Sequence, residues 1–311
     1  MIYTVTFNPA LDVSGTVDEL IPDEKCYIHG ELRTAGGNGI NAGIIASRLG
    51  MPVTLTGFIG GANGSELKSL LSKQLLTTAF IPINGNTRMN ITISHDLTHR
   101  QTRLSFAGPI VRLTEWNKLT KFLKRLKAGK DLAILGGSLP PGIAPKNIAD
   151  LVRSLRKKGI FCMVDMPAQT LVKVVQSHPD FIKPNLEEFQ QLTGSKVITI
   201  KGVLQSMQKL QLSVPLICVS SVQGGAILAN KQESWFGVTP KLKIHSTVGA
   251  GDSMVGAMAS RLAQDANAPL DELLKIGLAA SCATLSESGL TLGSKKAIQS
   301  FIPRIKVKKI T

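Results

Sequence analysis

Ser246-Thr247-Val248-Gly249-Ala250-Gly251-Asp252-Ser253 lies between a β-like segment and a long apolar run, Met254 to Leu262. Two glycines opening a helix let backbone N–H groups come close to an anion, and the helix dipole adds partial positive charge there. A carboxylate in that place repels phosphate. Asp252 therefore either caps the helix or accepts a proton, and the motif alone leaves the two readings level.

Other residues able to do chemistry fall at the ends of apolar runs. Asp12 follows Ile2 to Phe7 and the Asn8-Pro9 break, where α/β proteins carry ligand groups, although closing an Asx turn is its simpler reading in isolation. Gly36-Gly37-Asn38-Gly39-Ile40-Asn41 opens a helix that runs to Arg48-Leu49. Its glycines suit close approach to a ligand or to the sheet, and its two amides can bind hydroxyls. Gly136-Gly137-Ser138-Leu139-Pro140-Pro141-Gly142 is a rigid loop after the strand 131–135, and Lys183-Pro184-Asn185 ends another strand. Arg88 could fork onto a phosphate, although a lone surface arginine is the commoner case.

The elements that must position these groups alternate. Strands are predicted at 2–7, 53–59, 131–135, 160–164, 181–185, 216–220 and 225–229, with helices through Arg48, over Ser65 to Leu76, Trp116 to Lys127, to Lys158, Leu270 to Leu285 and Ser294 to Ile302. Gly60 to Gly64 reads as a turn, and Lys306 to Lys309 as a solvated basic tail. Repeated strand–helix pairs predict a mostly parallel sheet between helical layers. Residues 13–34 and 80–106 break the rhythm into β-like pieces, including Phe80 to Ile83, and predict a small sheet serving as a lid inserted in a single domain over 1–311.

The totals bound the class of protein. The 311 residues are 43% hydrophobic and 18% charged, as in globular proteins. An excess of 36 Lys+Arg over 21 Asp+Glu gives +15, which favours anionic partners without choosing among them. Cys26, Cys162, Cys218 and Cys282 are too scattered for a metal site and read as thiols in a reducing compartment. Met1 to Phe7 lacks the basic region of a signal peptide, and no apolar run approaches membrane length, so a cytoplasmic protein is expected.

The order of the motifs is more specific than any one of them. Asn8-Pro9-Ala10-Leu11-Asp12, Gly36-Gly37-x-Gly39-Ile40-Asn41, Thr87-Arg88-x-Asn90, Gly137 to Gly142, Lys183-Pro184-Asn185-x-x-Glu188 and Ser246 to Gly256 together resemble the PfkB sugar kinases of the ribokinase superfamily, from residue 2 to about 302. Within that family the resemblance is to the phosphosugar kinases: B-type 6-phosphofructokinases, 1-phosphofructokinases and tagatose-6-phosphate kinases. It implies a ribokinase-like three-layer α/β sandwich with a β-sheet lid, and phosphorylation by ATP of a ketohexose phosphate, foremost fructose 6-phosphate.

Roles carry over from the resemblance residue by residue. Asp252 would be the base and Gly249, Ala250 and Gly251 the anion hole. Asp12, Gly36, Gly37 and Asn41 would hold the sugar, and Lys25, Arg88 and Ser138 its phosphate. Lys183, Asn185, Ser220, Gly225 and Thr247 would lie along the nucleotide. Asn185 and Glu188 would organise Mg²⁺ through water, in keeping with that ion's reluctance to dehydrate. A potassium ion would use backbone around Ser246 and Val248.

Three positions depart from the family pattern. Asn38 replaces a lysine usual in 1-phosphofructokinases and tagatose-6-phosphate kinases, which tilts the expectation toward fructose 6-phosphate. Tyr27 stands where some relatives place a phosphate-binding arginine, and the loop Ser220 to Ala226 has its glycine displaced. Exposed lid strands would leave edges that a homodimer could cover.

Other classes fit less well. No Gly-x-Gly-x-x-Gly follows an early strand with an acidic residue beyond it, and no P-loop is present. A kinase fold turned nucleic-acid binder would use the excess charge. Yet aromatics are only 5% of the chain and are not interleaved with the basic runs, so nucleic acid is not an expected partner.

Overall fold

Ile2–Thr6, Val53–Ile59, Leu132–Gly136, Phe161–Asp165, Phe181–Ile182 and Leu216–Val222 are short, rich in branched apolar residues and mostly buried. That is the pattern of parallel strands covered on both faces. In the computed structural model, which describes residues 1–74, 76–98 and 100–310, these strands run parallel within one eleven-stranded sheet. Leu75, His99 and Thr311, which fall in the stretches read above as the second helix, the lid and the end of the domain, lie outside the described residues.

Ile2–Thr6 pairs with Val53–Ile59 on one side and Leu132–Gly136 on the other. The chain thus builds outward one way and returns to build the other. Such a reversal opens a crevice at the carboxyl ends of the strands.

Helices cover both faces of the sheet. Asn38–Arg48, Gly61–Ser72, Ala250–Gln264, Leu270–Leu285 and Lys295–Phe301 share one core with it, and Leu113–Leu123, Pro145–Lys157, Ala168–Val174, Leu186–Thr193 and Ile200–Leu210 share the other. This is the expected three-layer α/β sandwich. Among the described residues no helix is long and apolar enough to cross a membrane.

Three local readings are corrected, the last of them in the small sheet below. Gly61 begins a helix rather than lying in a turn, because Asn86 Oδ1, far along the chain, accepts the Asn63 N–H at 3.2 Å in that helix's first turn. Lys306–Ile310 is an edge strand rather than a tail, closing an antiparallel meander with Ser234–Val238 and Gly225–Ala229. Val307 and Ile310 pack against the two cores while the lysines stay in water, and lysines on an edge also discourage further pairing.

A second sheet of four strands has the order His29–Gly36, Ala10–Val17, Arg88–His95, Gln101–Ser105. The Phe80 to Ile83 stretch does not join it: Ile81–Pro82 pairs with Phe58–Ile59 of the large sheet. Register separates its two faces, since side chains alternate along each strand. Arg103, Thr92, Ser14 and Leu32 form one row, continued by Ser105, Asn90, Asp12 and Thr34. This polar face turns toward the carboxyl end of the large sheet. Leu104, Ile91 and Val13 lie on the opposite face.

Candidate active site

Gly249, at φ 76, turns the incoming loop into the helix Ala250–Gln264. Asp252 sits in the first turn, yet no side chain caps this helix. Its Oδ2 instead accepts a 2.8 Å hydrogen bond from Asn41 Nδ2. The capping reading therefore falls away. Ala250 and Gly251, at a helix start, have amides without intrahelical acceptors, which leaves them for an outside anion.

Asn41 and Asp252 meet because their helices cross backbone to backbone. A Cβ on Gly256 would stand 2.2 Å from the Ala42 carbonyl oxygen. Only glycine permits that approach.

Lys183, buried, closes the other side. Its Nζ lies 3.3 Å from Asp165 Oδ1 and 3.2 Å from where a Cβ on Gly251 would be. The other Asp165 oxygen is approached at 3.5 Å by Asn38 Nδ2. Burial pushes the Asp252 carboxyl up to about 6, reinforced by the Asp165 charge, while the Asn41 hydrogen bond and Lys183 pull the other way. Burial works against the Lys183 ammonium, but Asp165 and the neighbouring acids offset it and leave its pKa raised. A carboxylate poised near neutrality beside a fixed cation is suited to proton abstraction next to a phosphoryl group.

The small sheet brings Asp12 over this cleft. Asn90 Nδ2 donates to Asp12 Oδ1 at 2.8 Å, and the missing side chain of Gly36 makes room for the other oxygen, 1.8 Å from where its Cβ would stand. Burial raises Asp12 to about 6, with Asn90 and Arg88 opposing. The Asn90 and Asn8 side-chain oxygens are buried and unpartnered within the protein. Such acceptors suit a ligand rich in hydroxyls.

Arg88 is folded onto the chain, Nε donating to the Asn8 carbonyl at 3.1 Å and Nη1 to that of Phe106 at 3.1 Å. Asn8 Nδ2 reaches Ser138 Oγ at 3.4 Å, so Arg88, Asn8 and Ser138 gather at one end of the cleft. Gly37, at φ 124, lies against Thr6. Lys25 is not brought to this group: it is exposed in the loop between two small-sheet strands, its Nζ 4.9 Å from the Tyr27 ring centroid.

Asn185 and Glu188 form a reciprocal cap of Leu186–Thr193. Asn185 Oδ1 accepts the Glu188 N–H at 2.8 Å and Glu188 Oε2 accepts the Asn185 N–H at 2.9 Å. Burial raises the Glu188 carboxyl, and Asp165 adds to it. Asn185 bridges to Ser220 across adjoining strand ends, and Gly225 begins the next strand. The turn between them holds Ser221 at φ 61 and Gln223 at φ 45, left-handed values that favour glycine. Two non-glycine residues thus hold left-handed backbone in this loop, followed by Gly224 at φ 76. Ser246 Oγ accepts the Val248 N–H at 3.3 Å, and Thr247 is exposed and bonded to Arg103.

Sequence reasoning passed over Asp165, and it quoted Asn8 and Asn90 within motifs without giving either a role. Asp165 ends a buried strand just as Lys183 follows one, which was the available signal. Asn38 was weighed as a lost cation for the sugar's phosphate. Its Nδ2 approaches Asp165, while its Oδ1 lies 3.5 Å from where a Cβ on Gly137, beside Ser138, would be.

A family profile described as pfkB family carbohydrate kinase matches residues 5–297. The chain is 34% identical over 266 residues to a tagatose-6-phosphate kinase of Staphylococcus epidermidis, covering 84% of this chain and 85% of that one. It is 31% identical over 303 residues to the ATP-dependent 6-phosphofructokinase isozyme 2 of Escherichia coli K12, covering 96% and 97%. The crystal structure of phosphofructokinase-2 from Escherichia coli in complex with substrates and products superposes with a TM-score of 0.93 at 29% identity, covering 97% of this chain and 98% of that one.

Proposed function

The chain belongs to the pfkB family of carbohydrate kinases, and on that premise we propose that it transfers the γ-phosphate of ATP to the 1-hydroxyl of fructose 6-phosphate. At the coarser level it is a phosphofructokinase-type sugar phosphate kinase, an ATP-dependent phosphotransferase. The observation carrying the proposal is an Asp252 carboxylate free of capping, oriented by Asn41 and set beside unpaired helix-start amides.

In this reading Asp252 removes the proton from the acceptor hydroxyl as the oxygen attacks phosphorus. Amides of Gly249, Ala250 and Gly251, with the Lys183 ammonium, take the charge spread over the equatorial phosphoryl oxygens. Asp12, held by Asn90, binds sugar hydroxyls with Gly36, Gly37 and Asn41 along the ring, and the small sheet acts as the lid. Arg88 and Ser138 receive the existing phosphate, and Lys25 is assigned no part within a single chain. Ser220, Gly225, Asn185 and Thr247 lie along the nucleotide.

Magnesium, when bound, neutralises charge on the nucleotide phosphates. Among the described residues no cluster of three acidic, histidine or cysteine side chains forms a direct cage. Asn185 Oδ1 and Glu188 Oε2 are already engaged in the cap, so these residues fit the ion through water. Backbone around Ser246 and Val248 would hold potassium. Ile28, Leu104 and Phe106, each at least half exposed, give the lid's outer side an apolar surface that a homodimer through the lid would cover.

The 34% identity to a tagatose-6-phosphate kinase keeps tagatose 6-phosphate as a second reading, with 1-phosphofructokinase activity beside it. A coupled ADP-release assay with fructose 6-phosphate, fructose 1-phosphate, tagatose 6-phosphate and unphosphorylated sugars separates them. Highest kcat/KM with fructose 6-phosphate is expected. Turnover confined to an unphosphorylated sugar would overturn the phosphosugar assignment.

A further inference from the structure

Arg103 stands on the outermost strand of the lid, in the row with Thr92, Ser14 and Leu32 that faces the body of the protein. Its Nη2 donates to Thr247 Oγ1 at 2.9 Å and to Gln101 Oε1 at 3.2 Å. Both partners are neutral. The Nε and Nη1 protons remain for other acceptors, and the charge is not spent on a carboxylate in either contact.

The position of the two bonded residues gives this contact its meaning. One same-face step along the strands, about 7 Å, leads from the Arg103 row to the row holding Asn90 and Asp12. Thr247 lies two residues before Gly249, where the anion-binding turn begins. The hydrogen bond therefore spans 144 positions of sequence and joins the sheet that carries Asp12 to the loop that feeds the helix of Asp252.

We propose that Arg103 is a positioning residue that ties the lid to Thr247 and so fixes the gap between an acceptor held by Asp12 and a phosphoryl group held by the Gly249 to Gly251 amides. This rests on the kinase reading above. In-line transfer is sensitive to that gap, since misplacing reacting atoms by about 1 Å costs on the order of a hundredfold in rate. The planar guanidinium reaches Thr247 and Gln101 from one nitrogen, with its plane fixing the direction. A lysine ammonium keeps the charge without the planar group that fixes this direction. Charge alone is therefore insufficient.

The test uses Arg103→Ala, Arg103→Lys, Thr247→Val and the Arg103→Ala/Thr247→Val double variant in the full chain. Steady-state kinetics with fructose 6-phosphate and ATP are paired with hydrogen exchange of the ligand-free protein. Each single variant, Arg103→Lys included, is expected to lower kcat by roughly ten- to a hundredfold. The double variant is expected to be no worse than the poorer single one, because both remove one contact. Amides of 101–105 and 246–248 should exchange faster in all four. An additive double variant, a wild-type kcat in Arg103→Lys, or unchanged exchange in those segments overturns the proposal. Should the wild-type protein phosphorylate none of the sugars offered, the kinase reading fails, and exchange alone decides on the tie: faster exchange in both single variants, without further gain in the double, supports it, and any other pattern overturns it.

Discussion

Gly36→Ala tests the geometry of the acceptor site with a single methyl group. Gly36 is not among the glycines at positive φ, so alanine brings no backbone strain and the effect is steric. Its Cβ would stand 1.8 Å from Asp12 Oδ2 and 2.3 Å from Asp12 Cγ. The carboxylate must retreat by about 1.2 Å or more to reach the shortest approach that real Cβ atoms make. A move of that size takes Asp12 out of its 2.8 Å hydrogen bond with Asn90 and away from the sugar hydroxyl it is assigned. The expected loss is about a hundredfold in kcat/KM for the sugar phosphate, or roughly 3 kcal/mol of transition-state stabilisation. The KM for ATP should change little, because Lys183, Asn185 and the Gly249 to Gly251 turn lie on the other side of the cleft. Initial-rate kinetics in both substrates give the answer, with thermal melting to confirm the fold. A Gly36→Ala enzyme with wild-type kcat/KM for the sugar would refute the assignment of Asp12.

Asp252→Asn should lower kcat by about 10²–10⁴-fold, yet raise stability. The folded-state carboxyl is held up at about 6 from 3.8, so its charge opposes folding above that pH; replacing it gives at most about 3 kcal/mol at pH 8, fading as pH falls from about 6 toward 3.8. Melting curves at pH 8 and pH 4.5 check both sign and window. In the wild-type protein kcat should fall as pH drops through about 6, where the base becomes protonated, and a flat profile down to pH 5 with chemistry rate-limiting would contradict that role. Lys183→Met removes the cation beside Asp165 and Asp252, which should move that fall to higher pH as well as slow transfer. Gln223→Gly, at φ 45, should stabilise the protein by about 1 kcal/mol, read as a rise in Tm. Light scattering should find a dimer, and Leu104→Asp should shift it toward monomer.

The alternating strands and helices were legible because buried parallel strands are continuous apolar runs bounded by turns. The helices beginning near Asn38 and Ala250 announced themselves through their glycines. What escaped depends on distant partners. Asn86 sets the start of the helix at Gly61 from outside it, and the edge strand at Lys306 is held by pairing with Ser234–Val238. Asp252 could not be told from a cap until Asn41, 211 residues away, was seen to hold it. Asp165 carried no motif of its own and became visible only when Lys183 arrived from the neighbouring strand. Lys25 illustrates the reverse case, a residue assigned by resemblance whose place within one chain is the lid's exposed loop.

The crossing of Gly256 over Ala42 gives the enzyme two parts with different mechanical duties. Asn41 immediately precedes Ala42, and Asp252 lies one helical turn before Gly256. Asp252, the proposed base, and Asn41, which holds it, are thus mounted on a rigid bearing of main chain against main chain, within the helical layer on one face of the large sheet. Asp12 and Arg88 ride on the other sheet. Remodelling the small sheet can therefore retune which sugar is accepted without loosening the phosphoryl-transfer centre, so a family built on this plan can diversify its acceptors while leaving its chemistry in place.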